Sequence, residues 1–201
     1  MPRSVMMPAL GVAVLLGATP ARAQSVQVTP FAGYAFGGSA WSFDKAEEYS
    51  FDASPAYGGT LNFAISQSWR FELLYSRQET RLGGDGLSPS FDVTIERYLA
   101  GFQEEKGEGS VRYFGTFWLG ATRFVPGLDG FGSETRFGGG VGLGVKTFLV
   151  KNVGLRFEAR GFYTLVKSEG GAFCSHGECL FAFAGTGLWQ GDVSGGLILA
   201  F

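Results

Sequence analysis

The chain has 201 residues, including 33 Gly, 20 Phe, 7 Tyr and 4 Trp, with 17% charged residues and a formal net charge of −2. This length suits one domain. The aromatic content argues against disorder, and the glycines lack the every-third-residue period of collagen. A small net charge without a basic block gives no electrostatic footprint for nucleic acid, so we expect no nucleic-acid partner.

Residues 1–23 have the three parts of an export signal. Arg3 supplies a positive start, residues 5–18 form an apolar run, and Ala21-Arg22-Ala23 gives the small-x-small pattern that precedes cleavage. The alternative is an N-terminal membrane anchor, but the run is shorter than the ~20 residues that a spanning helix needs. We therefore expect a cleaved signal peptide over 1–23 and a mature domain over 24–201.

Beyond residue 23, apolar and polar residues alternate. Between residues 154 and 166, Leu155 and Phe157 fall on one face, while Arg156 and Glu158 fall on the other. A period of two predicts a strand with one apolar face. No long apolar run remains, which excludes membrane-spanning helices. The same alternation predicts eight strands, at residues 26–36, 56–65, 69–81, 91–102, 111–124, 136–149, 154–166 and 188–201.

The connections between these strands differ in length. Three of them are short, while the other four are mostly longer and rich in Gly, Ser and acidic residues. Each strand is about as long as the ~9–11 residues of a tilted transmembrane strand. Together these features predict an all-β fold, an eight-stranded antiparallel transmembrane up-and-down β-barrel with short periplasmic turns and longer external loops.

Aromatic residues predict where the two membrane interfaces lie, because barrels of this type carry an aromatic belt at each interface. The alternation slips between residues 95 and 98, where a β-bulge would explain it. The belt at the turns is predicted to contain Phe63, Trp69, Phe71, Tyr98, Phe102, Tyr113, Phe157 and Phe201, and the belt at the loops Tyr34, Phe36, Tyr57, Tyr75, Phe91, Phe137 and Tyr163.

The last eight residues follow the pattern polar, x, Gly, x, x, apolar, x, aromatic, with Ser194, Gly196, Leu199 and Phe201 at the pattern positions. This resembles the terminal signal that the barrel-assembly machinery recognises in outer-membrane proteins. The opening segment, Val28-Thr-Pro-Phe-Ala-Gly-Tyr-Ala-Phe-Gly37, is similar to the first strand of the small outer-membrane β-barrel family that includes the membrane domain of outer-membrane protein A.

The resemblance covers residues 24–201 and specifies architecture rather than activity. It implies a location in the cell outer membrane, among outer-membrane lipid and lipopolysaccharide, with the barrel-assembly machinery as a partner during insertion. We expect a monomer.

Several charged residues fall on the inward face of the predicted barrel. Eight strands enclose a lumen that side chains can fill, and buried charges of both signs are costly unless they pair. The glycines of residues 136–149 are expected to make room for long arginine side chains. The inward charges are Glu72, Arg112, Lys146, Arg156, Glu158 and Arg160, with either Glu96 or Arg97 depending on the slip.

Cys174 and Cys179 flank the single histidine, His176. An even cysteine count and an oxidising export pathway favour a disulfide that pins this loop. The alternatives are a metal site and a hydrolase that pairs His176 with Ser175 or Ser168. Six contiguous residues rarely wrap one ion, and no strand-borne histidine faces lipid, so we expect no metal, no cofactor and no catalytic residue.

Function is then expected in the external loops, because a rigid barrel leaves binding to its loops. The leading hypothesis is a structural or surface-interaction protein without catalytic turnover, whose loop ligand the sequence does not identify. One alternative is a narrow, porin-like channel for ions or small solutes. A more remote one is an outer-membrane lipid-modifying enzyme.

Overall fold

A computed structural model describes residues 25–41, 48–84, 91–127, 132–166, 171–175, 178–182 and 187–201. The predicted signal peptide, residues 1–23, lies outside them. No helix in the described ranges is long and apolar enough to span a membrane.

Strands account for almost all of the described chain. Eight strands are long, and apolar and polar residues alternate along each of them. The long strands are β1 (Val26–Phe36), β4 (Ser54–Ala64), β5 (Trp69–Gly84), β6 (Phe91–Lys106), β7 (Val111–Pro126), β8 (Glu134–Val150), β9 (Val153–Leu165) and β12 (Gly187–Ala200). The short strands are β2 (Ser39–Trp41), β3 (Glu48–Phe51), β10 (Gly171–Ser175) and β11 (Glu178–Ala182).

The eight long strands form a closed antiparallel barrel. Each pairs with its neighbour along the chain, and β12 pairs with β1 through partners such as Gly196 and Phe31. Closure leaves no unpaired edge, which satisfies the backbone hydrogen bonds of every strand within the wall. The predicted all-β, eight-stranded antiparallel barrel is confirmed.

The two ends of the barrel differ. At one end, which we call the turn end, residues 65–68, 107–110 and 151–152 connect neighbouring long strands. Gly107 and Gly109 have φ of +124° and +77° there, a backbone region that favours glycine. At the other end, the loop end, β2 and β3 extend the wall beside β5, and β10 pairs with β11.

Several strands run further than the alternation predicted. β5 and β6 pair from Trp69↔Glu104 to Leu82↔Phe91 without a break. The predicted bulge near residues 95–98 is therefore wrong. The alternation slips in the sequence because Glu96, a charged residue, stands on the outer face, while Arg97 points into the lumen beside Ile95 and Leu99, which are also buried.

The outer face of the wall is largely apolar. Tyr75 and Tyr98 are Cα partners on β5 and β6, and their ring centroids lie 5.1 Å apart. Tyr98 therefore belongs to the loop-end belt, not to the turn-end belt as predicted, because the β6 register is continuous. The side chain of Phe91 lies outside the described residues. Many of the exposed large side chains are aromatic: Tyr34, Phe36, Tyr57, Phe63, Trp69, Tyr75, Tyr98, Phe102, Tyr113, Phe117, Phe137, Phe157, Trp189 and Phe201.

The inward glycines of β8 make room for aromatic rings. A Cβ at Gly142 would lie 2.6 Å from the Trp118 ring and 2.7 Å from Glu158 Oε1, and one at Gly140 would lie 2.7 Å from the Phe162 ring. The expectation that these glycines accommodate arginine side chains is therefore wrong. The large rings of β7 and β9, the strands on either side, occupy that space instead.

Candidate functional site: the filled lumen and the loop end

The lumen holds a cluster of charges centred on Arg156. The alternation along β9 turns Arg156 and Glu158 inward, and β5 brings Glu72 to them from elsewhere in the wall. Arg156 donates to Glu72 Oε2 at 2.7 Å through Nη1 and to Glu158 Oε1 at 2.9 Å through Nη2. Its guanidinium carbon also lies 4.5 Å from the centre of the Phe114 ring. One buried guanidinium thus bridges two carboxylates through charge-assisted hydrogen bonds.

Glu105 gathers a second group of cations nearer the turn end. Its carboxylate lies 2.8 Å from Arg70 Nε, 2.5 Å from Lys146 Nζ and 3.4 Å from Arg112 Nη1. Lys146 is completely buried and also donates to Gln103 and Gln27. These bonds satisfy an ammonium group that would be costly to bury alone. Arg112 remains partly exposed at the mouth of the barrel.

A third group lies around Arg160. Its Nε donates to Asp192 Oδ1 at 2.7 Å, and its Nη2 donates to Ser194 Oγ at 3.0 Å. The guanidinium carbon lies 4.1 Å from the centre of the Phe31 ring, a cation–π contact. Arg160 reaches Asp192 because the two residues are Cα partners in the β9–β12 pair.

An apolar cluster crosses the lumen between the walls. It consists of Phe31, Leu74, Leu99, Trp118 and Phe162, all buried. The rings of Trp118 and Phe162 are 6.2 Å apart. These side chains come from five different strands. The cluster therefore connects five of the eight long strands across the interior.

The inward residues singled out from the sequence separate into three groups in the structure. Glu72, Arg156 and Glu158 are brought into one cluster, Lys146 and Arg112 meet at Glu105, and Arg160 contacts Asp192. Among the described residues, sequence reasoning missed the inward charges Arg70, Glu105 and Asp192, and neutral partners such as Gln103. Knowledge of the β5–β6 register would have identified those on these strands. Arg70 and Gln103 are inward Cα partners, and Glu105 lies two positions further along β6 on the same face.

One charged cluster lies on the outer face. Arg77, Glu96 and Arg123 are consecutive Cα partners on β5, β6 and β7. Glu96 lies 3.5 Å from Arg77 Nη1 and 3.7 Å from Arg123 Nη1. The hydroxyls of Tyr75 and Tyr98 each donate to Glu96 at 3.3 Å. A paired carboxylate next to tyrosine hydroxyls, on their loop-end side, is typical of an interface between apolar and aqueous surroundings.

The four residues of the C-terminal pattern lie on β12 and its end. Ser194 accepts from Arg160, and Gly196 packs against β1, where a Cβ would lie 2.8 Å from Pro30 O. Leu199 is the Cα partner of Val28, and the amide of Phe201 donates to Val26 O at 2.9 Å. The pattern therefore lies on the strand that closes the barrel.

At the loop end, Cys174 and Cys179 are Cα partners in the β10–β11 pair. Their side chains and His176 lie outside the described residues. Within the described ranges, no group of three or more His, Cys, Asp or Glu side chains is placed to hold a metal ion.

Chemically, the lumen contains interlocked ion pairs and packed rings, an arrangement that favours a fixed interior over an open passage. The large open cavity of ~1040 Å³ lies at the turn end, beside Ser66, Arg70 and Arg112. Its inner boundary includes Glu105, which is bound to the completely buried Lys146. The open cavity at the mouth of the barrel therefore ends at this ion pair.

Comparison with solved structures supports the architecture. No protein-family model and no curated protein matches the sequence. Among solved structures, Neisserial surface protein A is similar, with 20% identity, a TM-score of 0.60, and coverage of 89% of this chain and 99% of that chain. Ail, the attachment invasion locus protein of Yersinia pestis, aligns at 14% identity and a TM-score of 0.42 over 86% of this chain and 98% of that one. This chain has the fold of the small eight-stranded outer-membrane β-barrels.

Proposed function

We propose that the protein is an integral outer-membrane barrel with a structural or surface-interaction role, carried by the loop end and without catalytic turnover. The observation that carries the proposal is the combination of a filled lumen with an apolar outer face. A wall of this kind is suited to lipid on the outside, and its packed interior leaves the loops as the place for binding.

We assign export and insertion to two segments near the ends of the sequence. Residues 1–23 act as a cleaved signal peptide, and Ser194, Gly196, Leu199 and Phe201 present the assembly signal to the barrel-assembly machinery. The position of these four residues on the closing strand supports this role. In the membrane the barrel is a monomer surrounded by outer-membrane lipid and lipopolysaccharide. The turn end then faces the periplasm and the loop end faces outward.

The loop end offers two hairpins for binding, β2–β3 and β10–β11. A disulfide between Cys174 and Cys179 fixes the second hairpin. The register supports this pairing, because directly opposed residues of an antiparallel pair have Cα atoms about 4.5–5.5 Å apart, within the range of a disulfide. A pinned hairpin loses less conformational entropy when it binds a partner.

The channel alternative is disfavoured by the contents of the lumen. A passage would have to cross the Trp118 and Phe162 rings as well as the Arg156 and Lys146 ion pairs. The enzyme alternative is disfavoured by the sequence, whose one histidine falls outside the eight segments predicted as strands.

Loop replacement tests the proposal. A variant in which a Gly-Ser linker replaces residues 168–185 keeps the eight long strands. We expect it to migrate as a heat-modifiable barrel and to insert in the outer membrane, while cells that display it lose adherence to a cultured host-cell monolayer. A matched variant with a changed turn, Gln67→Ser, should adhere like the unmodified protein. Equal adherence of both variants and the unmodified protein contradicts a binding role for this loop.

A further inference from the structure

Arg97 is the one buried, inward-facing cation without a carboxylate partner in the part of the chain that the structure describes. Among the described residues, the lumen buries five cationic side chains and four carboxylates. Every carboxylate lies within 3 Å of a cation other than Arg97. The five cations are Arg70, Arg97, Lys146, Arg156 and Arg160, and the four carboxylates are Glu72, Glu105, Glu158 and Asp192.

The contacts of Arg97 do not neutralise it. Its Nη2 donates to Gln190 Oε1 at 2.6 Å, and its guanidinium carbon lies 4.6 Å from the centre of the Phe162 ring. Both groups are uncharged. Arg97 is only 1% exposed, so bulk water does not screen its charge either. The charges of Asp192 and Arg160 also act on Arg97, with opposite signs, and Asp192 is already paired with Arg160 while its Oδ2 has no hydrogen-bond partner. A charge buried with so little compensation is strongly unfavourable.

Several hydrogen-bond donors around Arg97 have no protein partner. Arg97 Nε and Nη1 are buried without one, and so is Gln190 Nε2, which belongs to the amide whose oxygen binds Arg97. Ser76, the Cα partner of Arg97 on β5, buries an unpartnered hydroxyl as well. Arg160 Nη1 also has no hydrogen-bond partner, although it lies 4.0 Å from Glu158 Oε2, and the Arg160 guanidinium lies near the same Phe162 ring.

We propose that Arg97 and Gln190 bind a small monovalent inorganic anion inside the lumen, with Ser76 as a further donor. Chloride is the abundant ion of this class. One negative charge balances the one unpaired cation, and a halide accepts several N–H and O–H bonds at once. A water molecule at this position would accept some of the same bonds but would leave the charge uncompensated.

Anomalous diffraction from the full mature protein, crystallised in sodium bromide, tests the site directly. We expect an anomalous peak within hydrogen-bond distance of Arg97 and Gln190, and none there in crystals grown in sodium gluconate. A position occupied in both salts by density without anomalous signal is water, and overturns the proposal. An anomalous peak found only on exposed arginines such as Arg123 overturns it too.

A stability measurement in solution gives a second, independent readout. At constant ionic strength, replacing gluconate by bromide should raise the folded-to-unfolded ratio about tenfold for each tenfold rise in bromide above its dissociation constant. Arg97→Gln should abolish that dependence, while Arg123→Gln, which removes an outward arginine, should retain it. The same bromide dependence in all three proteins contradicts the site. If Arg97→Gln does not fold, the diffraction result on the unmodified protein decides.

Discussion

Trp118 Nε1 donates a hydrogen bond of 2.9 Å to Glu72 Oε1, across 46 positions of the sequence. This bond joins the apolar cluster of the lumen to the Arg156 ion-pair cluster. Glu72 also accepts from Asn62, Gln103 and Arg156, so its carboxylate is saturated with donors. The barrel interior is therefore one connected unit.

Trp118→Phe should remove this bond while keeping a ring in the lumen. Because Glu72 stays buried with one donor fewer, we expect a loss of about 1–3 kcal/mol in the free energy of unfolding, measured by urea titration in lipid vesicles. The control is Trp189→Phe, an outward residue that is 66% exposed. Equal losses for the two variants would contradict the role of the Trp118–Glu72 bond.

Arg156→Gln should be more damaging. It leaves Glu72 and Glu158 without the guanidinium that bridges them, and removing one partner of a buried ion pair costs about 3–5 kcal/mol. Arg81→Gln is the matched control, because the Arg81–Asp92 pair is exposed on both sides and such pairs contribute at most about 1 kcal/mol. Adding Glu72→Gln to Arg156→Gln should recover part of the loss. If the double variant is no more stable than Arg156→Gln alone, the loss does not come from the unpaired Glu72 carboxylate.

Gly142→Ala and Gly161→Ala compare a glycine on the inner face of the wall with one on its outer face. A Cβ at Gly142 meets the Trp118 ring and Glu158, whereas one at Gly161 has nothing within 4 Å. We expect the Gly142 variant to give a smaller folded, heat-modifiable fraction and the Gly161 variant to match the unmodified protein. If the two variants give equally large folded fractions, the Trp118 ring moves freely enough to accommodate the added methyl group at Gly142.

Thiol labelling tests the proposed disulfide. The denatured, unreduced protein should take up no maleimide, whereas Cys174→Ser should take up one equivalent at Cys179. The sequence contains no other cysteine, so the assignment is unambiguous. Labelling of the unmodified protein at two thiols without a reductant would rule out the disulfide.

The sequence was sufficient for the fold and for part of the interior. A period of two along β9 placed Arg156, Glu158 and Arg160 on the inward face without structural information. It failed at β6, because Glu96 breaks the apolar pattern of the outer face and only the neighbouring Arg77 and Arg123 explain it. The local pattern does not reveal which charges pair, because pairing depends on how the barrel closes and how far each side chain reaches. It also could not reveal that Arg97 pairs with no carboxylate among the described residues.

Single-channel recording tests the central claim, that the lumen is closed. The folded mature protein in planar bilayers should show no discrete openings, because the Trp118 cluster and the Arg156 and Lys146 ion pairs fill the interior. Arg156→Ala, recorded alongside, should reveal whether these charges line a path. Discrete openings of the unmodified protein, with an ion selectivity that changes in Arg156→Ala, would contradict the account and establish a channel.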